Sequence, residues 1–224
     1  RRILSWSNSQ LRLWDVNGEL IRNMDGHIGW IDGALELSNG NLVSWSRDTT
    51  LAMWNSEGFA MGGMPGHTEA VKGATELSFN RVLSWGGDEL RMWDSSGGFI
   101  LALEGNTGII NGAVELQNQT ILSWGNDGLR LWNGGGVLIT HMTAHTAPVM
   151  GAMQLSDGRL LSWSNDNTLR VWDVDGNLLM TLTGHTNRVG GAIELADGKI
   201  LSWGGYFDDT TPADTDIRIW DVSE

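Results

Sequence analysis

The sequence predicts an all-β fold built from repeated copies of one small antiparallel sheet, on three observations. Tryptophan recurs on a fixed spacing: Trp6, Trp45, Trp85, Trp124, Trp163 and Trp203 are separated by 39, 40, 39, 39 and 40 residues. A second series, Trp14, Trp54, Trp93, Trp132, Trp172 and Trp220, runs beside it, so 12 of the 13 tryptophans are repeat positions and only Trp30 stands outside. Short apolar runs alternate with polar residues between these anchors. They are closed by Asn17-Gly18, Asn39-Gly40, Asp157-Gly158, Asp175-Gly176 and Asp197-Gly198, pairs that suit tight turns between strands. No stretch combines helical apolar spacing with helix caps. A period of 39 to 40 residues containing four strands is the signature of propeller blades.

Within a copy the elements follow one order. The segment around Ala34, Ala74, Ala113, Ala152 and Ala192 is small and apolar, as expected of an innermost strand crowded at an axis. The LSW run carrying the first tryptophan is the second strand, and the LRLW alternation ending at the second tryptophan is the third. The outermost strand lies around Leu20, Phe59, Ile100, Ile139 and Leu179. Second and third strands occur six times, inner and outer strands five times, which makes 22 strands, or about five and a half four-stranded blades in a single domain 1–224. The blade units run 1–24, 25–63, 64–103, 104–142, 143–182 and 183–224, with an insertion at 206–216 in the last. The two strands missing from six full blades are consecutive in the repeat. Three completions stay open: absent sequence supplies the segment, the chain is a fragment of a propeller larger than six blades, or another chain pairs with the open edges. The opening RRILSWS already belongs to the repeat and carries no initiator Met or leader, so an excised piece of a longer protein is expected.

Composition narrows the partners. A net charge of −13 with no basic cluster argues against nucleic acid and anionic membranes, whose affinity rests on Lys and Arg. No run is long and apolar enough for a membrane helix, and a cytoplasmic location is the expectation. The absence of Cys excludes disulfides, thiolate metal sites and cysteine nucleophiles.

The blade-ending dipeptides Trp14-Asp15, Trp93-Asp94, Trp172-Asp173 and Trp220-Asp221, with Asn55 and Asn133 replacing Asp in two copies, stand in register with Gly26-His27, Gly66-His67 and Gly184-His185. The latter pair becomes Gly105-Asn106 and Ala144-His145 elsewhere. On these residues the whole chain resembles the WD-repeat family, and the near-identity of its copies is similar to that of bacterial WD-repeat proteins. The resemblance implies a structural hydrogen-bond network in each blade, formed here by His27, Ser44 and Trp54; His67, Ser84 and Trp93; His145, Ser162 and Trp172; and His185, Ser202 and Trp220. His precedes Ser by 17 residues in every copy. The family's turn aspartate matches Asp48, Asp88, Asp127 and Asp166, with Ser9 and Tyr206 at that place in the end copies. The first-series tryptophans occupy positions that are small in the family and are expected to act as wedges between blades.

Recurring His, Ser and Asp could be read as a nucleophilic triad, but one active site does not need four copies, and a network fixing strand register explains them directly. No phosphate loop or cofactor motif is visible, so a non-enzyme without cofactor or bound metal is expected. Asp208, Asp209, Asp214 and Asp216 in the insertion carry the oxygen ligands calcium takes, yet their spacing fits no standard loop; a solvated hairpin tip is expected, with Asp214 standing in for the turn aspartate. His141 is expected to be an exposed strand residue, and Asn118-Gln119-Thr120 is a formal glycosylation sequon.

Copies of the segment after Gly-His differ where a blade places no demand. Ile31, Val71, Ile110, Val149 and Val189 are always apolar, whereas Trp30, Ala70, Ile109, Pro148 and Arg188 differ freely, as do Asp32, Lys72, Asn111, Met150 and Gly190. In the WD-repeat resemblance these places lie on the face that contacts partners. The expected function is a protein- or peptide-binding scaffold using Trp30, Asp32, Ala70, Lys72, Ile109, Asn111, Pro148, Met150 and Arg188. The alternatives are a homo-oligomer completed through open strand edges, and a glycan or small-molecule binder.

Overall fold

The computed structural model describes residues 2–205, Asp214 and 216–223. Among them, 22 strands form six antiparallel sheets, distributed over two compact units, Arg1–Asn106 and Thr107–Glu224. The first unit holds β1 (Arg2–Ser7), β2 (Gln10–Asp15) and β3 (Leu20–Met24); β4 (Ile31–Glu36), β5 (Leu42–Ser46), β6 (Leu51–Trp54) and β7 (Ala60–Met64); and β8 (Gly73–Leu77), β9 (Arg81–Gly86), β10 (Glu89–Asp94) and β11 (Phe99–Leu103). The second holds β12 (Ile110–Glu115), β13 (Ile121–Gly125), β14 (Gly128–Trp132) and β15 (Leu138–Met142); β16 (Val149–Gln154), β17 (Leu160–Ser164), β18 (Thr168–Trp172) and β19 (Leu178–Thr183); and β20 (Val189–Glu194), β21 (Ile200–Gly204) and β22 (Ile217–Trp220). Strands pair in chain order within every sheet, so each connection inside a sheet is a hairpin. The strand count is the one expected, and the two short sheets are the first and the last: β1–β2–β3 lacks the innermost strand and β20–β21–β22 the outermost. Among the described residues no helix is long and apolar enough to cross a membrane.

The residue after each second tryptophan sets the turn that follows. Asp15 Oδ1 accepts the amides of Asn17 and Glu19, and Asp94 and Asp173 take the corresponding amides two and four residues on. This role needs an acceptor oxygen and no charge, which is why Asn55 and Asn133 serve as well: each Oδ1 accepts the same two amides.

The first-series tryptophans explain the constant glycines of the innermost strands. A Cβ on Gly33, Gly73, Gly112, Gly151 or Gly191 would fall 2.1–2.3 Å from an indole carbon of Trp45, Trp85, Trp124, Trp163 or Trp203 respectively. Crowding at an axis is therefore not the reason for these glycines; the indole lies across the neighbouring strand and only hydrogen fits beneath it. The same rings also meet the core between adjacent sheets. Trp45 packs on a cluster drawn from β4–β7 and β8–β11 that includes Val43, Met53, Val82 and Trp93, and Trp163 packs on one that includes Leu161, Val171, Val189 and Ile200. The second-series Trp54, Trp93, Trp132 and Trp172 are at most 2% exposed. Burying such rings in full supplies a large share of the apolar area that each sheet removes from water.

This packing gives a direct test. Gly151→Ala drives a methyl into the Trp163 ring and is expected to cost about 2 kcal/mol or more in urea unfolding. Gly62→Ala in β7, where a Cβ would meet nothing within 4 Å, is expected to be neutral or to stabilise by about 0.5 kcal/mol. Equal effects at the two glycines would refute the indole constraint.

Candidate functional site

The network residues converge in each of the sheets that hold them. In β4–β7, Trp54 Nε1 donates to Ser44 Oγ at 3.0 Å, Ser44 Oγ lies 2.9 Å from His27 Nε2, and His27 Nδ1 lies 3.0 Å from Asp48 Oδ2. A carboxylate only accepts, so His27 carries its proton on Nδ1, Ser44 donates to Nε2 and its oxygen is left to receive the indole. In β16–β19, His145 lies 2.8 Å from Asp166 and 2.9 Å from Ser162, and Trp172 donates to Ser162 at 2.9 Å. The order of groups matches that of a hydrolytic triad. The serine, however, is 0% exposed in both sheets and already engaged by an indole, so a substrate carbonyl has no path to it.

Three sheets depart from this pattern, each for a legible reason. Beside His67 the carboxylate is Glu89, and not Asp88 as expected: Glu89 Oε2 stands 3.2 Å from His67 Nδ1, out of line for a hydrogen bond, and accepts the Thr68 amide, while Asp88 is exposed. The hairpin pairs Gly86 with Glu89, as the equally short one in β12–β15 pairs Gly125 with Gly128; there Asp127 accepts the Thr107 amide, whereas here Glu89 stands at the place of Gly128 and its longer side chain reaches back from the strand to take the role. His67 still meets Ser84 at 2.8 Å, and Trp93 donates to the same oxygen. Asn106 replaces histidine in β12–β15, where the buried Arg130 clasps Asp127 through both terminal nitrogens at 2.8 and 2.7 Å, and Trp132 bonds Ser123. In the last sheet Asp214, 5% exposed, stands 2.7 Å from His185, which meets Ser202 at 2.8 Å, while Trp220 bonds Ser202. Asp216 pairs with Arg218, and Asp208, Asp209 and Tyr206 lie outside the described residues.

Arginine is the group that reading the sequence passed over. Arg91, Arg130, Arg170 and Arg218 each pair with a carboxylate beside their own turn, at 3.2, 2.7, 3.8 and 2.8 Å. The signal was present in the LRLW motif, where the polar member of the alternation is nearly always Arg. His141 is exposed on β15, and its Nε2 lies 2.8 Å from the Asp127 carbonyl oxygen. Asn118 accepts the Thr120 amide and hydroxyl within its own turn.

The entries to the innermost strands combine a fixed backbone with side chains that differ from sheet to sheet. The carbonyls of Trp30, Ile109, Pro148 and Arg188 accept the amides of Arg47, Asn126, Asn165 and Gly205 at 2.7–3.0 Å, so the same backbone position is held in four sheets. Pairing then skips one residue: between Ile31 and Gly33, Ile110 and Gly112, Val149 and Gly151, and Val189 and Gly191. The skipped residues are Asp32, Asn111, Met150 and Gly190, each the extra residue of a β-bulge, which turns a side chain out of the ladder. Trp30 is 60% exposed, with the Arg47 guanidinium 5.3 Å from its ring centroid and bonded to Asp32 at 2.9 Å. Lys72 is exposed and Ala70 half-buried. In the second unit Ile109 is 50% and Met150 39% exposed, Pro148 and Arg188 are half-buried, and Met150, Arg188, Val189 and Gly190 surround a hollow of about 130 Å³. Asn111 donates to the Val149 carbonyl at 2.8 Å.

No family model and no curated protein matches the chain. Among solved structures, the computationally designed Ika8 protein superimposes with a TM-score of 0.79 at 22% identity, over 98% of this chain and 70% of that one. The WD40 β-propeller domain of Doa1 superimposes with a TM-score of 0.69 at 19% identity, over 100% of this chain and 75% of that one. The fold is a β-propeller fold. At these identities the likeness extends to the fold alone.

The propeller network has a defined acid sensitivity. Burial pushes the His67 ring down to about 4, against the opposing pull of Glu89. Burial works against ionisation of Asp48 and Asp214, but the hydrogen bonds each accepts, from Thr50 and Ile28 and from Asp216 and His185 respectively, outweigh it and hold both at about 2. A histidine depressed in the folded state favours the neutral ring, so its contribution is complete above the unfolded value near 6.5 and disappears as pH falls to about 4. The aspartates lose theirs only below about 4. Urea unfolding is therefore expected to weaken between pH 6.5 and 4, and His67→Asn, which installs the group found at Asn106, should remove about 3 kcal/mol of that loss. A pH slope identical in the variant would exclude His67 as its source.

Proposed function

We propose that the chain is a non-catalytic scaffold of the WD-repeat type that binds protein or peptide through side chains at the entries to its innermost strands. The observation that carries this reading is the bulge. The same backbone device recurs in four sheets and sets a different residue outside the ladder each time, Asp32, Asn111, Met150 or Gly190, so one regular backbone carries varied chemistry. The exposed Trp30, steadied by Arg47, is the strongest single anchor, since tryptophan and arginine dominate binding hot spots. The charge of −13 favours basic peptide partners over nucleic acid. Peptides selected from a random display library should lose at least tenfold in affinity on Trp30→Ala, with urea unfolding unchanged. Affinity unaltered in Trp30→Ala, Ile109→Ser and Arg188→Glu alike would reject the reading.

A second reading, assembly through the short terminal sheets, is favoured by a separate observation. Ile3, paired with Trp14, is 51% exposed, whereas its counterparts Leu42, Val82, Ile121, Leu160 and Ile200 are all 0% exposed. Ile217 and Ile219 on β22 are 69% and 62% exposed, while Leu90 and Met92, at the same register on β10, are buried. Covering each isoleucine is worth roughly 1.5–3 kcal/mol. Light scattering is expected to give a mass that rises with concentration above 24.5 kDa and returns to that of one chain in Ile217→Glu with Ile219→Lys. A monomeric wild type would leave these edges without a role in self-assembly.

A further inference from the structure

Five of the six sheets place an arginine opposite the network serine. Arg12, Arg91, Arg130, Arg170 and Arg218 pair with Ser5, Ser84, Ser123, Ser162 and Ser202, whereas Ser44 pairs with Ala52. The sheet β16–β19 shows what the arginine does when every other network residue is the same: Arg170 Nε stands 3.3 Å from His145 Nδ1, with a terminal nitrogen 3.8 Å from Asp166. The sheet β4–β7 reproduces this network without it. Histidine to aspartate is 3.0 Å against 2.8 Å, tryptophan to serine 3.0 Å against 2.9 Å, and threonine to aspartate 2.7 Å in both. Arginine is therefore not required for the carboxylate and imidazole to take their places.

The neighbouring strand has changed in step. Gly63 faces Ala52 where Thr181 faces Arg170, and a Cβ on Gly62 or Gly63 would meet nothing within 4 Å. The result is a cavity of about 420 Å³ lined by His27, Thr50, Ala52, Trp54, Gly63 and Pro65, with the exposed Asp25 also on its wall. That volume lies within the range of small-ligand sites. We propose that this cavity binds an alkylguanidinium group carried by another molecule, in the place that an internal arginine takes in the other sheets. A terminal nitrogen of Arg170 stands 3.8 Å from Asp166, and Asp48 holds the corresponding place here, accepting from His27 Nδ1 and the Thr50 hydroxyl, while Trp54 offers an aromatic wall on which a planar cation can stack. Asp25 adds negative charge, and Asp48 stays ionised down to about pH 2. An ammonium, compact and strongly hydrated, lacks the plane that matches this wall.

The test is a titration followed by carbon-13 methyl NMR of Ala52 and Ala60, with n-butylguanidinium as the probe. Saturable shifts of both methyls are expected, with butylammonium at least fivefold weaker and the neutral butylurea inert. Ala52→Arg, which refills the cavity from within, and Gly63→Leu, which fills it from β7, should each abolish the shift of Ala60. An acetylated and amidated Gly-Arg-Gly peptide separates the sources: tighter binding than n-butylguanidinium assigns the group to a polypeptide, and weaker binding assigns it to a free guanidine. Absence of saturation, an equal response to butylurea, or an Ala60 shift that survives both filling variants would overturn the proposal.

Discussion

A buried serine hydroxyl on the second strand of each complete sheet is the interaction on which the rest of the structure depends. Its oxygen accepts the indole N–H of the third strand and, in the sheets with histidine, its proton goes to the imidazole that precedes the first. A polar hydrogen placed that deep is costly unless matched, so the match fixes register across three strands at once. A slip of one residue would turn the serine to the other face and leave an indole and an imidazole unpaired together. The fully buried second tryptophan completes the constraint, because the ring that donates the hydrogen bond is also one of the largest apolar groups in the sheet.

The network tolerates loss at its outer members and not at its centre. Histidine is replaced at Asn106, the turn carboxylate comes from Glu89 or Asp214 as readily as from Asp48, and arginine is dispensed with at Ala52. The serine and indole are present in all six copies, including the first sheet, where Trp14 donates to Ser5 without an innermost strand. Pairwise bonding between adjacent strands does not depend on the innermost strand, whereas the bond from histidine requires the segment that precedes it.

Tryptophan spacing alone made the strands legible, because indoles at a fixed period leave few ways to bury them and the pairs of turn residues mark each hairpin. The roles of most polar groups followed from their place in the repeat, Asp127 in a short turn and Asp214 beyond an insertion included. They failed at Asp88, where the next residue is Glu89 and takes the Thr68 amide, while Asp127, in an equally short turn followed by Gly128, keeps the role. The bulges at Asp32, Asn111, Met150 and Gly190 left no mark in residue type, since any side chain suits a position whose backbone is held by its neighbours. The cavity beside Ala52 was equally hidden: a single Ala in place of Arg looks like ordinary drift until Gly63 is found to face it across the ladder.

Variation in this chain therefore falls into two physical kinds. At the strand entries it changes what points outward and leaves the packing untouched, because the backbone there is bound through its carbonyl and its amide neighbours. At Ala52 it removes volume from a place that arginine takes in the other sheets and leaves a solvent-open hollow lined by His27, Thr50 and Trp54. The bonds of Trp54 and His27 match those of Trp172 and His145, where arginine is present, to within 0.2 Å in each pair compared above. The same serine-centred bonds thus frame the site with and without the arginine, and what changes at Ala52 is the shape and chemistry of the surface those bonds hold in place.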